Sequence, residues 1–122
     1  MDVLLVEDEP LIRETLVEDL AGTGLEVAEA PDAETALGAA GQAPRPPCVL
    51  VTDVNLGAGM DGLALVEEAR RRWPGVGVIV ITGKPSNLGG RRHDPREICL
   101  LKPFGTPRLA AAVHELMDWS RR

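Results

Sequence analysis

Carboxylate side chains follow two of the short apolar runs in this 122-residue sequence. Glu7, Asp8 and Glu9 come directly after the run VLLV, and Asp53 comes directly after the run CVLVT. Carboxylates held a few ångströms apart raise one another's pKa unless a cation supplies the missing charge. Because oxygen ligands without a Cys or His set favour Mg²⁺ over zinc or copper, this pattern predicts a magnesium site.

A hydroxyl group and an ammonium group end two later apolar runs, Thr82 after VIVI and Lys102 after ICLL. A carboxylate such as Asp53 is a competent nucleophile toward phosphorus, and forming the acyl phosphate requires mainly positioning and charge neutralisation. Mg²⁺ and the Lys102 ammonium would neutralise the phosphoryl oxygens. Thr82 and the backbone N–H groups of the glycine-rich loop after Asp53 would donate hydrogen bonds to them. We therefore expect phosphoryl-group chemistry at Asp53.

The elements that must position these side chains alternate along the chain as short apolar runs and helical patterns. The predicted strands are Val3–Val6, Leu25–Ala28, Cys48–Thr52, Val76–Thr82 and Ile98–Leu101. The predicted helices begin near Pro10, after Asp32, after Asp61 and at Thr106–Pro107. The repeated β then α order means a parallel sheet with helices on both faces, a doubly wound three-layer α/β fold. In such folds the working site lies beyond the carboxyl ends of the strands.

The stretch between Gly83 and Pro95 lacks a helical pattern. It contains three glycines and two prolines in thirteen residues, so a full helix there would oppose the propensities of its residues. We expect a loop with at most one or two turns, which leaves the fourth helix of the fold short or missing.

Composition and charge exclude several classes of protein. The 19 acidic and 13 basic residues give a net charge of −6, which argues against a nucleic-acid-binding surface and suits a cation site. The apolar runs are too short to span a membrane, and the first residues lack the order of a signal peptide, so we expect a cytoplasmic protein. The length predicts one domain over residues 1–122. Cys48 and Cys99 lie in apolar segments and are expected to be buried thiols.

Four motifs in chain order carry a resemblance that covers the whole chain. They are VLLVEDE, VTDVNL, VIVIT and LLKPF. With them the sequence resembles the receiver domains of two-component response regulators. The resemblance implies a flavodoxin-like fold with strand order 2-1-3-4-5. It also implies that Asp53 accepts a phosphoryl group from a phosphohistidine on a histidine kinase or a histidine phosphotransfer protein.

The resemblance further implies how the magnesium site is built. Asp8 and Asp53 would bind Mg²⁺ directly, the backbone carbonyl of Asn55 would complete the protein ligands, and Glu7 would act through water. Asn55 and Lys84, two residues after Asp53 and Thr82, occupy positions that tune dephosphorylation in this family.

On the phosphoryl side, the resemblance implies that Lys102 pairs with the phosphoryl group and that a cis peptide before Pro103 aims this lysine. Thr82 would move toward the phosphoryl group and report its presence. The position three before Lys102 is usually aromatic, and here it is Cys99, so the usual coupling between threonine and aromatic ring cannot operate unchanged. The loop after Asp53 lacks the usual proline at Gly57 and is one residue longer than the common form, so we expect it to be more flexible.

Three other functions remain as alternatives. A phosphohydrolase with an aspartyl-phosphate intermediate usually has a second acid two residues after the nucleophile, where this chain has Asn55. A phosphorylation-independent interaction domain is expected to have lost an acid, the threonine or the lysine, and none is lost. The chain also fits the receiver part of a hybrid histidine kinase. We expect a signalling switch that catalyses only its own phosphotransfer and dephosphorylation, as a monomer or a phosphorylation-dependent dimer.

Overall fold

Parallel strands form a sheet in the order β2-β1-β3-β4-β5 in the computed structural model of this chain, which describes residues 1–57, 59–84, 86 and 94–120. The strands are β1 (Val3–Val6), β2 (Val27–Ala30), β3 (Val49–Asp53), β4 (Gly77–Thr82) and β5 (Glu97–Leu101). The helices in the described ranges are α1 (Pro10–Ala21), α2 (Ala33–Gln42), α3 (Gly62–Arg72) and α4 (Thr106–Ser120). The parallel pairing and the strand order confirm the predicted flavodoxin-like α/β fold.

The sheet separates two hydrophobic cores, because alternate residues of a strand face opposite sides. Val3 and Leu5 pack with α1 and α4, whereas Leu4 and Val6 pack with α2 and α3. All four side chains are fully buried, and each contributes roughly 1.5–3 kcal/mol of hydrophobic stabilisation. Burial on both faces explains why the central strands are recognisable as continuous apolar runs.

Side-chain caps fix the beginning of two helices, which start after Asp32 and Asp61 as the sequence predicts. The Asp32 carboxylate accepts a hydrogen bond of 2.7 Å from the Thr35 N–H at the start of α2. The Asp61 carboxylate accepts one of 2.8 Å from the Ala64 N–H at the start of α3. Such caps satisfy N–H groups that have no partner inside the helix and contribute about 1 kcal/mol each. The cap at Asp61 also fixes the end of the loop that begins after Asp53.

The bounds of β3, β4 and β5 differ from the predicted ones by one residue, and two larger details differ from the expectations. The second strand is β2 (Val27–Ala30) rather than Leu25–Ala28, because its register with β1 pairs Val3 with Val27 and Val6 with Ala30. The expectation of buried thiols was also wrong: Cys48 is half-buried and Cys99 is exposed. Ile98 and Leu100, on either side of Cys99 in β5, pack into the core with α4. The Cys99 side chain therefore lies on the opposite face of this edge strand.

The segment between β4 and β5 contains no α-helix among its described residues. Residues 85 and 87–93, on which most of the predicted loop falls, lie outside the described part of the chain.

Within the described ranges, no helix combines the length and the apolar character needed to span a membrane.

Candidate functional site

The carboxyl ends of four strands are level with one another at one edge of the sheet. The register pairs Val6 of β1 with Thr52 of β3, Asp53 of β3 with Ile81 of β4, and Thr82 of β4 with Leu101 of β5. The last residues of β3 and β4 therefore lie at the same edge of the sheet as the residues that follow β1 and β5. This register places five residues that the sequence predicts as site residues at one edge of the sheet: Glu7, Asp8, Asp53, Thr82 and Lys102.

Asp53 and Lys102 form the central contact of this edge. The Lys102 Nζ donates a hydrogen bond of 2.6 Å to Asp53 Oδ2, and the Asn55 N–H donates one of 3.2 Å to Asp53 Oδ1. The Asp53 side chain is 12% exposed and that of Lys102 is 39% exposed. Since the Lys102 N–H also donates to the Thr82 carbonyl at 2.9 Å, the end of β4 helps to position the lysine. The peptide bond between Lys102 and Pro103 is cis.

The charges around Lys102 favour its protonated form. Partial burial alone would lower the pKa of the ammonium, but the hydrogen bond and charge of Asp53 and the charges of Glu7 and Asp8 outweigh it and raise the pKa above its ordinary value of 10.5. Lys102 is therefore a permanent cation at neutral pH, and it faces several acids rather than one.

Glu7 has the most perturbed environment of these acids. The side chain is buried, and burial, a hydrogen bond with Asp8 and the charge of Asp53 raise its pKa from 4.5 to about 7. Asp8 itself is exposed. The structure thus combines a buried carboxyl group, an exposed one and a lysine-bound one at the ends of β1 and β3.

This donor set fits a hard divalent cation. Its side chains offer carboxylate oxygens. Burial is the main reason for the raised pKa of Glu7, and the nearby charge of Asp53 adds a repulsion that a cation would relieve. Among the described residues, however, no group of three or more His, Cys, Asp or Glu side chains converges closely enough to hold a metal ion. The predicted magnesium site counts the Asn55 backbone carbonyl, and a water molecule between Glu7 and the ion, among its ligands.

The Thr82 hydroxyl is buried and engaged in a local turn. Its Oγ1 accepts a hydrogen bond of 3.1 Å from the Lys84 N–H and lies 3.2 Å from the Lys84 carbonyl oxygen, to which it donates. Cys99 is exposed on β5, and its thiol lies 3.8 Å from Glu97 Oε2. The structure therefore brings Thr82 to the edge that carries Asp53 and directs the Cys99 thiol back along β5 toward Glu97.

Two residues that the sequence did not indicate contact the backbone carbonyls of Asp53 and Glu7. Gly62, the first residue of α3, lies so close to the Asp53 carbonyl that a Cβ there would overlap the oxygen. Arg13 of α1 donates a hydrogen bond of 2.8 Å to the Glu7 carbonyl and contacts Glu29 of β2 at 3.3 Å. A glycine directly after a helix-capping aspartate was a usable signal for the first, because glycine is a poor helix former. No sequence pattern indicated the second.

Comparisons with known proteins show what this chain is similar to in sequence. The family model of the response regulator receiver domain matches residues 3–114. The chain is 35% identical over 114 residues to the KDP operon transcriptional regulatory protein KdpE of Escherichia coli, covering 92% of this chain and 49% of that protein. It is 32% identical over 118 residues to the sensor kinase CckA of Brucella abortus, covering 95% of this chain and 12% of that protein.

A solved structure gives the same relationship in three dimensions. The receiver domain of NtrX from Brucella abortus superimposes with a TM-score of 0.80 at 30% identity, covering 96% of this chain and 98% of that chain. The chain spans about half or less of the length of the curated relatives that it matches.

Proposed function

Because this chain belongs to the response regulator receiver family, we propose that Asp53 is its phosphorylation site. The observation that carries the proposal is the 2.6 Å contact between Asp53 Oδ2 and Lys102 Nζ at the edge where Glu7 and Asp8 also lie. An almost buried carboxylate with its own cation beside it is positioned to attack phosphorus, and the cation is positioned to accept the charge that follows.

The phosphoryl donor is a phosphohistidine on a histidine kinase or a histidine phosphotransfer protein. One Asp53 carboxylate oxygen forms the new bond to phosphorus, and the bond between phosphorus and the histidine nitrogen breaks, with its electron pair leaving on the imidazole. The Lys102 ammonium exchanges its contact with the carboxylate for a contact with a phosphoryl oxygen. The Asn55 N–H continues to hold the Asp53 side chain in place during the transfer.

Mg²⁺ is the cofactor that this donor set suits. Asp8, Asp53 and the Asn55 carbonyl would hold it, with Glu7 acting through a water molecule. When bound, it supplies positive charge against the phosphoryl oxygens and the carboxylates. Glu7 would bind as a carboxylate, so the proton that its raised pKa favours in the metal-free site would have to leave.

The readout begins at Thr82. Its hydroxyl is held by the backbone of Lys84, and it would leave that turn to donate a hydrogen bond to a phosphoryl oxygen. The backbone groups of Lys84 would then lose their partner, so the segment after β4 would rearrange. Since Cys99 stands where the family usually has an aromatic side chain, this rearrangement cannot use the usual coupling between the threonine and a ring at that position.

A groove beside the site suits the partner that delivers the phosphoryl group. It has a volume of about 350 Å³ and is lined by Glu7, Ile12, Thr15, Leu16, Ile81, Lys102, Pro103 and Phe104. Ile12 is 40% exposed and the neighbouring Leu11 is 75% exposed. We expect the apolar face of a partner helix to pack here and to bring its phosphohistidine toward Asp53 from the side of α1.

The setting of the domain is also part of the proposal. The relatives include both a sensor kinase and a transcriptional regulator, and the phosphorylation proposed for Asp53 suits a domain in either setting. We propose that the domain works in the cytoplasm, where it changes protein contacts after phosphorylation and catalyses only its own phosphotransfer and dephosphorylation.

The test is modification by acetyl phosphate with Mg²⁺, measured by intact mass. The wild type should gain the mass of one phosphoryl group, and Asp53→Asn should gain none, because the amide is a poor nucleophile. Asp118→Asn, on the exposed side of α4, is the matched control and should react like the wild type. An unmodified wild type, or equal modification of Asp53→Asn, contradicts the proposal and favours a phosphorylation-independent interaction domain.

A further inference from the structure

The glycine-rich loop after β3 is tied to a different helix at one point. The Met60 N–H donates a hydrogen bond of 3.0 Å to Glu34 Oε1, which projects from the first turn of α2. At Gly59, where φ is +88°, a Cβ would lie 3.1 Å from the same oxygen. The Glu34 carboxylate therefore lies against the backbone of the loop, at a position whose positive φ favours glycine.

The other end of the same loop borders Asp8, one of the acids proposed to hold Mg²⁺. Gly57 has φ of +75°, and a Cβ there would lie 3.3 Å from Asp8 Oδ2. Two residues earlier, the Asn55 N–H bonds to Asp53 Oδ1. Two glycines with positive φ give this loop many alternative conformations, and choosing one of them has an entropic cost. A carboxylate fixed on a helix offsets part of that cost by accepting a hydrogen bond from Met60.

From this geometry we infer that Glu34 is a positioning residue for the phosphorylation site, acting through the Met60 N–H on the loop that carries Gly57 past Asp8. The inference rests on the proposed function. Glu34 touches neither the phosphoryl group nor the cation. Its role is to hold the loop in the conformation in which the Asn55 carbonyl and the Asp8 carboxylate face the same cation.

Glu34→Ala and Glu34→Gln separate the hydrogen bond from other effects of the carboxylate. Alanine removes both the acceptor and the negative charge near the start of α2, whereas glutamine removes the charge and keeps an oxygen that accepts from Met60. We expect Glu34→Ala to weaken Mg²⁺ binding and to slow phosphorylation by acetyl phosphate, each by about two- to tenfold, the range of a single exposed hydrogen bond. Glu34→Gln should restore most of both.

The measurements are a MgCl₂ titration followed by the amide NMR signals of Asn55 and Gly57, and hydrogen exchange at the Met60 amide. Glu67→Ala, an exposed acid on α3, is the matched control and should leave both unchanged. Equal Mg²⁺ affinity in Glu34→Ala and the wild type overturns the inference. Equal losses in Glu34→Ala and Glu34→Gln also overturn it, because the effect would then come from the charge.

A second variant covers the case in which Glu34→Ala does not fold. Glu34→Asp keeps the negative charge in the first turn of α2 and shortens the side chain by one methylene, so it should withdraw the carboxylate from the Met60 N–H and weaken Mg²⁺ binding to a similar extent; an unchanged affinity contradicts the inference. Failure of the proposed function is distinguished by the wild type itself. A wild type that takes no phosphoryl group contradicts the role of Asp53, while the Mg²⁺ titration still decides the role of Glu34.

Discussion

The backbone carbonyl of Asp53 lies directly against Gly62, the residue that begins α3. The Gly62 N–H also donates a hydrogen bond of 2.9 Å to the Val54 carbonyl. The start of α3 therefore packs on the backbone that carries the acceptor carboxylate, and the absence of a side chain at Gly62 is what permits this approach.

Gly62→Ala should displace the backbone of Asp53. Because the new Cβ overlaps the carbonyl oxygen, we expect the free energy of unfolding to fall by about 1–3 kcal/mol and phosphorylation of Asp53 to slow. Urea denaturation and intact mass after acetyl phosphate treatment measure the two effects. Gly38→Ala, in α2, is the control. A Cβ at Gly38 has no neighbouring atom within 4 Å, so this substitution should stabilise the protein by about 0.5–1 kcal/mol. Equal stabilities of the two variants would contradict this packing argument.

Lys102→Met should separate phosphorylation from metal binding. Without the ammonium, developing charge on the phosphoryl group loses its partner, and we expect phosphorylation by acetyl phosphate to slow by about a hundredfold. Mg²⁺ should bind more tightly, because Lys102 no longer competes for the Asp53 carboxylate. Arg108→Met, an exposed cation on α4, should change neither quantity. Weaker Mg²⁺ binding in Lys102→Met would show that the lysine is not a competitor of the metal.

The metal-free domain should lose stability as the pH rises through about 7. The pKa of Glu7 is about 7 in the folded protein against an ordinary value of 4.5, so the folded state holds this proton more tightly than the unfolded state. The resulting stabilisation is complete below about pH 4.5 and is lost as the pH rises through about 7. Denaturation in EDTA at several pH values should show this loss in the wild type.

Glu7→Gln is the variant that isolates the effect of Glu7. It should be more stable than the wild type at pH 8 in EDTA and should lack this part of the pH dependence, because its side chain carries no charge at any pH. Glu67→Gln, at an exposed position, should follow the wild type. If the stabilities of the wild type and Glu7→Gln stay a constant amount apart from pH 5 to pH 8, Glu7 does not titrate in this range.

Thr82→Ala should separate phosphorylation from its readout. Asp53 and Lys102 remain in place, so beryllofluoride, a phosphoryl mimic, should still bind with Mg²⁺, but the response of the Lys84 amide should be lost because the hydroxyl that holds it is gone. NMR shifts of that amide with and without beryllofluoride measure the response. Thr82→Ser keeps the hydroxyl and should respond like the wild type. A full response in Thr82→Ala would rule out the proposed path through this turn.

The parts of this fold that the sequence predicts are those set by local chemistry. Buried strands produce apolar runs, and Asp32 and Asp61 cap helices by accepting hydrogen bonds from N–H groups three residues later. The bounds of β2 could not be predicted, since they depend on register with β1 rather than on hydrophobicity. Exposure of Cys99 escaped prediction for a similar reason: the apolar run around it does not say which side of an edge strand a helix covers.

The same distinction applies to the site. Glu7, Asp53 and Lys102 are predictable because a parallel sheet delivers its strand ends to one edge. The contact of Glu34 with Met60 joins residues 26 positions apart through a side chain and a backbone N–H. It is absent from any local pattern, because a backbone donor has no signature in the sequence.

The contact between Asp53 and Lys102 spans 49 positions of the chain and links the end of β3 to the end of β5, with β4 between them. In the proposed phosphorylated state the same two residues stay linked, but with a phosphoryl group between the carboxylate and the ammonium. The chemical signal would therefore change the length of a connection between two strands while preserving the connection itself. In such a domain the phosphoryl group would act as a spacer between Asp53 and Lys102. The end of β5 and the turn at Thr82 would then have to move to make room for it.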